Sequence, residues 1–394
     1  MTKPLAKWSI NLGLLILSFL FGNQVGVSVT NYTVKRNSSF VFDLADVKKS
    51  LQLPVIQKEE MLRIPANHLE LRVKNSVQDE TVEPLFLKIE NDPVQIKRLS
   101  SMLAKPGKTA ALEKQIKERL EKYNQATNNN NARNNENTVA PNNPTTSKTR
   151  DIRVTADLYN LMEPVALGRI FEKIHHKLSL PGDVLKNDKK LRKSLSKQLK
   201  GYLSNSELKK LMRKIRTGDD LNVDEDLLPK FARKMVKKYT IYRGPNCFHS
   251  SLAFQSPKLP SSSFVNVKIE SGYHRAMINY DELWRILNLN FYEINPNETP
   301  LQYGDTIVFF DVPRDGDMQN PDFKWIRHAA SYLFGDYTFS KGSKSPNTPY
   351  SVKTINEEWQ TWQKYSKNLA IKVFRRSSKN VTKKPLKSLT DWLY

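Results

Sequence analysis

A single cysteine among 394 residues rules out an internal disulfide framework. One cysteine and six scattered histidines make no ligand spacing of the Cys-x-x-Cys or His-Glu-x-x-His kind, so no metal is expected. Glycine is sparse at 14, with no glycine-rich phosphate loop, and no cofactor is expected. RNA-binding aromatic motifs, zinc fingers and helix-turn-helix patterns are also missing, which argues against nucleic acid as a partner. No apolar run is comfortably long enough for a bilayer. The stretch Ile10 to Phe21, preceded by Lys3 and Lys7, falls short of the ~20 residues a spanning helix needs. It reads as a secretory signal, with a small-x-small cleavage pattern at Gly26-Val27-Ser28. Residues 1–28 are then the signal peptide, and the remainder is exported, periplasmic or secreted. The alternative is an uncleaved anchor from Ile10 to Val29.

Negative charge is short as well: 63 Lys and Arg stand against 40 Asp and Glu, a net +23. Between Lys186 and Lys238 the count is 17 against 7. Such an excess favours an anionic partner, and for an exported chain the candidates are cell-envelope polymers or, by peripheral contact, lipid headgroups. The plain alternative is that the lysines only solvate helix faces.

Composition marks the seams of the chain. Residues 29–106 carry strand-like runs such as HLELRVKN and EPLFLKIEN, suggesting a small β-rich N-terminal module. Residues 107–150 include the Asn-rich run NQATNNNNARNNENTVAPNNPTTSKT, too polar to bury surface and expected to be a disordered linker. Residues 151–238 read as a basic helical region containing His175 and His176, with a capping box at Ser204 and Glu207. The remainder, 239–394, reads as an α+β domain.

Within that last stretch, YRGPNCFHSSLAF places Cys247 at a helix start. Gly244 and Pro245 break the chain, Asn246 is a good N-cap, and Phe248, Leu252, Ala253 and Phe254 follow at helical spacing. Unpaired amides there favour the thiolate, the nucleophilic form. A buried, inert cysteine is the alternative. Downstream, LQYGDTIVFFDVP and WIRHAASYLFGDYTFSKG alternate as strands do, and His328 opens the second. A cysteine and a distant histidine brought together by folding is the pattern of a thiol nucleophile with its general base. His249, two residues after Cys247, points away from the thiol on a helix. Trp284, Trp325, Trp359 and Trp362 are expected to pack a core more than to line a groove.

Cys247 at a helix start, the strand Gly304 to Phe310, and His328 followed by Tyr332, Leu333 and Gly335 resemble the NlpC-type family of papain-like cell-wall peptidases, over about residues 239–394. The sequence departs at the nucleophile, with Asn246, Phe248 and His249 where that family has Asp, Ser and Gly. The resemblance implies a papain-like α+β fold, hydrolysis of an amide bond in peptidoglycan peptides, and a polar third residue about twelve positions after the base. That position is Ser340. A three-residue turn over Phe334 to Asp336 would pair Leu333 with Tyr337 and put Ser340 on the face of His328, whereas a two-residue turn would bring Lys341 round instead. The backbone amide of Cys247 is the expected oxyanion donor, with Tyr242 a weaker candidate. The competing expectation is a non-catalytic wall-binding or envelope-structural protein on the same fold.

Overall fold

A computed structural model describes residue 44 and residues 47–80, 82–134, 149–255, 277–311, 325–366 and 368–377, with the side chains of 127–134 left out. The expected signal peptide and residues 135–148 of the expected linker lie outside the described residues. The fold is mixed α+β, in three packed parts.

The first part begins with β1 (Ile56–Leu62) and α1 (Ala66–Asn75), then β2 (Phe86–Glu90), α2 (Pro93–Leu103), α3 (Thr109–Asn134), β3 (Thr149–Arg153), α4 (Ala156–Leu161) and α5 (Pro164–Ile170). Strands β2 and β3 pair antiparallel. Leu69, Val73, Leu87, Ile96, Ile116 and Leu158 meet in one apolar core over them. Two expectations change here. The run HLELRVKN is helix α1, because Leu69 and Val73, four apart, are the buried pair while Leu71 is 42% exposed. The described part of residues 29–106 is therefore mixed and not β-rich. Helix α3 also runs deep into the expected linker. Leu112, Ile116 and Leu120 are buried at four-residue spacing, and this stripe anchors a helix whose polar face extends into the Asn-rich tract.

The second part holds β4 (Lys173–Leu180), α6 (Gly182–Asn187), α7 (Lys189–Leu199), α8 (Asn205–Thr217), β5 (Leu221–Asn222), a π-helical turn (Val223–Leu227) and α9 (Lys230–Met235). A three-stranded antiparallel sheet has the order β1-β4-β5. The Ser204–Glu207 capping box forms on α8. Residues 151–238 are not wholly helical, however. Pro164 interrupts the first periodic run, and His175 and His176 lie on β4, where pairing with β1 buries both.

The third part holds α10 (Cys247–Phe254), α11 (Tyr280–Asn290), β6 (Phe291–Ile294), β7 (Thr306–Asp311), β8 (Ile326–Phe334), β9 (Tyr337–Lys341), β10 (Tyr350–Thr354), α12 (Ile355–Gln363) and β11 (Leu369–Arg376). These strands form a six-stranded sheet in the order β10-β9-β8-β7-β11-β6, antiparallel throughout. Its two faces bury different cores. On one, Val308, Phe310, Ala329 and Phe339 pack with Cys247, Phe248, Leu252 and Phe254 of α10. On the other, Ile307, Phe309, Ala330 and Tyr332 pack under Ile355 of α12, with Trp359 against them.

The first of these cores does not stop at residue 239. Leu178, Leu195, Leu211, Leu227 and Phe231 belong to the same cluster as Cys247. The basic stretch is thus part of the structure that supports α10, since its apolar side chains are what α10 packs against.

Candidate active site

Helix α10 is buried on every side, its polar His249, Ser250 and Ser251 included, and its start is fixed by side chains. The Asn246 side chain caps it, accepting the His249 amide at 3.0 Å. The same side chain donates to Ile278 O at 2.6 Å, which anchors the cap to the chain entering α11. Ser250 and Ser251 donate their hydroxyls back to Cys247 O at 2.8 and 3.0 Å. The amides of Cys247 and Phe248 lie in the first turn, where no intrahelical acceptor exists. Cys247 itself is 5% exposed.

His328 reaches the site through an irregularity in the sheet. Phe309 pairs with His328, but Phe310 pairs with Ile326, so Arg327 is bulged out and its Nε meets Asp311 at 2.7 Å. A bulge of this kind re-aims the neighbouring side chain. The His328 ring lies between Phe309, 5.4 Å away, and Trp362, stacked at 4.9 Å. Its Nε2 is 3.2 Å from Glu358 Oε2, an ion pair off the line of a good hydrogen bond. Burial alone pushes the imidazole pKa down; the Glu358 carboxylate and the Cys247 sulfur beside it push harder the other way, to about 9. Burial likewise raises the Glu358 carboxyl, yet the charges of His328 and Lys353 and the Ser340 hydrogen bond hold it at about 2. The buried pair is therefore imidazolium and carboxylate at neutral pH.

Ser340 is where the strand alternation puts it and makes a different contact from the one expected. The turn after β8 has two residues, with Phe334 paired to Tyr337, and a bulge between Tyr332 and Phe334 restores the register. Ser340 therefore keeps to the face of His328, and Lys341 turns to the α10 side. The Ser340 hydroxyl donates to Glu358 Oε1. The group beside His328 is Glu358, and Ser340 holds that carboxylate in place.

Sequence reasoning missed Glu358, though a signal was present. In INEEWQTWQ the apolar stripe of α12 runs Ile355, Glu358, Trp359, Trp362, so a carboxylate occupies a position that packing should reserve for an apolar group. Its neighbour Glu357 closes the capping box with Thr354 and meets His176 Nε2 at 2.6 Å. The opposite nitrogen of His176 is 2.7 Å from Gln57. Strand β4 thus pins the first turn of α12.

The other aromatic and basic candidates are structural in placement. His249 is fully buried, edge-on to Phe231, with Nδ1 3.5 Å from the Tyr350 hydroxyl. Trp284 packs edge-on to Phe310 and Phe374, Trp359 meets Phe309, and Trp325 is 36% exposed. Among the described residues, no group of three or more His, Cys, Asp or Glu could hold a metal ion, and no helix is long and apolar enough to cross a membrane. No family model, curated protein or solved structure matches this chain.

Proposed function

We propose that the protein is a thiol hydrolase on a papain-like α+β fold, with Cys247 as nucleophile, His328 as acid and base, and Glu358 as the group that orients and charges the imidazole. The observation that carries this reading is a fully buried imidazole 3.2 Å from a buried carboxylate and near enough to the sole thiol to be influenced by it, though neither ring nitrogen makes a hydrogen bond. A structural role alone does not explain it, because bringing an ion pair out of water costs more than an apolar pair of similar volume would.

The thiolate attacks an amide carbonyl carbon, and the oxyanion is received by the Cys247 amide. As the carbon–nitrogen bond breaks, His328 passes its proton to the departing amine. Neutral His328 then takes a proton from water, the resulting hydroxide attacks the thioester, and the carbon–sulfur bond breaks to release a carboxylic acid and restore the Cys247 thiolate beside protonated His328. By the resemblance given above, the substrate is a peptidoglycan stem or cross-bridge peptide met after export. The exposed cations on the surface of α7 and α8, Lys189, Lys190, Lys193, Lys197, Lys209 and Lys210, supply the contact with anionic envelope polymer or lipid headgroups.

Digestion of purified cell wall with mass analysis of the products tests the reading. Release of peptides with a new amine and a new carboxylate is expected, and it is expected to vanish in Cys247→Ala and His328→Ala. Intact wall after incubation with a folded protein would instead favour the second reading, a non-catalytic envelope-binding protein. One observation favours that alternative: Cys247 is only 5% exposed and His328 is fully buried.

A further inference from the structure

The loop joining β9 to β10, residues 342–349, is fastened at more points than a surface connection requires. Within it, the Ser343 and Thr348 hydroxyls meet at 2.8 Å, the Asn347 amide donates to Ser345 Oγ at 3.2 Å, and the Thr348 amide donates to Ser345 O at 3.1 Å. From beneath, the fully buried Lys341 donates its ammonium to Ser343 O at 2.6 Å and Ser345 O at 2.7 Å. From the side, the fully buried Arg72 of α1 donates to Asn347 Oδ1 and, through its other nitrogen, to Glu83 O at 2.8 Å. On its remaining side the loop holds the nucleophile's approach, because Lys344 O accepts the amide of Gly244 at 3.2 Å.

Burying a cation is expensive even when its hydrogen bonds are satisfied. Arg72 is buried here as a cation and Lys341 as a second basic side chain, both against one eight-residue loop, where apolar side chains would pack at lower cost. Their shared target is the backbone and one amide of that loop, and the loop's outward hydrogen bond goes to the segment Gly244 to Asn246 that sets the position of Cys247. A displacement of about 1 Å in a reacting group costs ~10²-fold in rate, so a device that fixes this segment has a catalytic consequence. Resting on the hydrolase reading, we propose that loop 342–349 is a strap that positions the lead-in to Cys247, with Lys341 and Arg72 as positioning residues, so that the N-terminal unit governs the nucleophile at a distance.

Asn347→Ala tests this by removing the half-buried side chain that accepts from Arg72, while Arg72 keeps its bond to Glu83 O; Lys341→Met and Arg72→Met are the companions. Amide hydrogen exchange over residues 242–247 and steady-state turnover are measured on the full chain. Each single variant is expected to raise exchange at Gly244 ~10-fold, the release of one ordinary hydrogen bond. A fall in kcat of ~10-fold or more with KM unchanged is expected alongside. Asn347→Ala combined with Arg72→Met is expected to be no worse than the poorer single variant, because both act through one link. Unchanged exchange in Asn347→Ala and Lys341→Met would overturn the strap, as would losses in the double variant that simply multiply. If the wild-type protein hydrolyses nothing while exchange responds as expected, the hydrolase reading fails and the strap stands.

Discussion

Replacing Glu358 by glutamine keeps the length of the side chain and an oxygen for Ser340, and removes only the charge beside His328. The two groups are 3.2 Å apart. At an effective dielectric of ~20, one unit charge acting on another at that distance is worth ~5 kcal/mol, enough to move a midpoint by ~4 pH units. The imidazole now stands at about 9 against an ordinary 6.5, a smaller interval than the one removed. Burial is then left as the larger influence, and His328 in Glu358→Gln is expected to titrate below 6.5. The histidine ring proton signals, followed by NMR against pH, report this directly, with His328→Gln supplying the assignment. Activity at neutral pH should fall ~10²-fold or more, because a less basic imidazole takes the thiol proton less readily and so holds less of it for the leaving amine. Stability should change in a defined window too. A raised folded-state value contributes stability that is complete below pH 6.5 and lost as pH climbs through 9, so this pH-dependent loss disappears from the variant. An imidazole that still titrates near 9 in Glu358→Gln would show that the carboxylate is not what holds its proton.

Burial drops Lys341 to about 7 against the pull of Cys247 and Glu83, so the cost of its charge is relieved as pH rises from 7 towards 10.5; between pH 7 and 9 this offsets the loss from His328. Urea unfolding of Lys341→Met should therefore lose ~1.4 kcal/mol per pH unit across that window, where the wild type is nearly flat; equal slopes would remove Lys341 from the balance. Ser340→Ala leaves Glu358 Oε1 without its donor and should cost ~1–3 kcal/mol in stability. Its loss of activity should be smaller than that of Glu358→Gln, and the reverse order in parallel assays would make Ser340 the more important partner. Deleting residues 151–238 should yield an insoluble or unfolded product by circular dichroism, because Leu178, Leu195 and Phe231 share the core with Cys247; a folded product with a reactive thiol would contradict the shared core.

Where local signals were strong, the sequence was legible. Asn246 as a cap, the helix from Cys247, the strands carrying Thr306 to Asp311 and His328, and the capping box on α8 each follow from side-chain chemistry within a few residues. Register was harder. The two-residue turn at Gly335 and Asp336 pointed to Lys341, and only the bulge near Leu333 returned Ser340 to the face of His328; nothing in the alternation announces a bulge. Glu358 was overlooked because a glutamate in a first helical turn reads as a favourable dipole partner. Its burial depends on packing between elements far apart in the chain. The separation of a basic helical region from an α+β domain failed for the same reason: charge density marks what faces water, and the apolar stripes of α7 and α8 decide what they pack on.

The contacts that close the structure join distant positions: Lys49 meets Asp336, and His176 meets Glu357 across 181 residues. Loop closures of that span come late in folding. Cys247 emerges from the ribosome well before its imidazole, and the imidazole before its carboxylate. The thiol is therefore made before the groups that surround it in the folded chain. On the hydrolase reading proposed above, the three groups are complete only when the last of these long closures has formed.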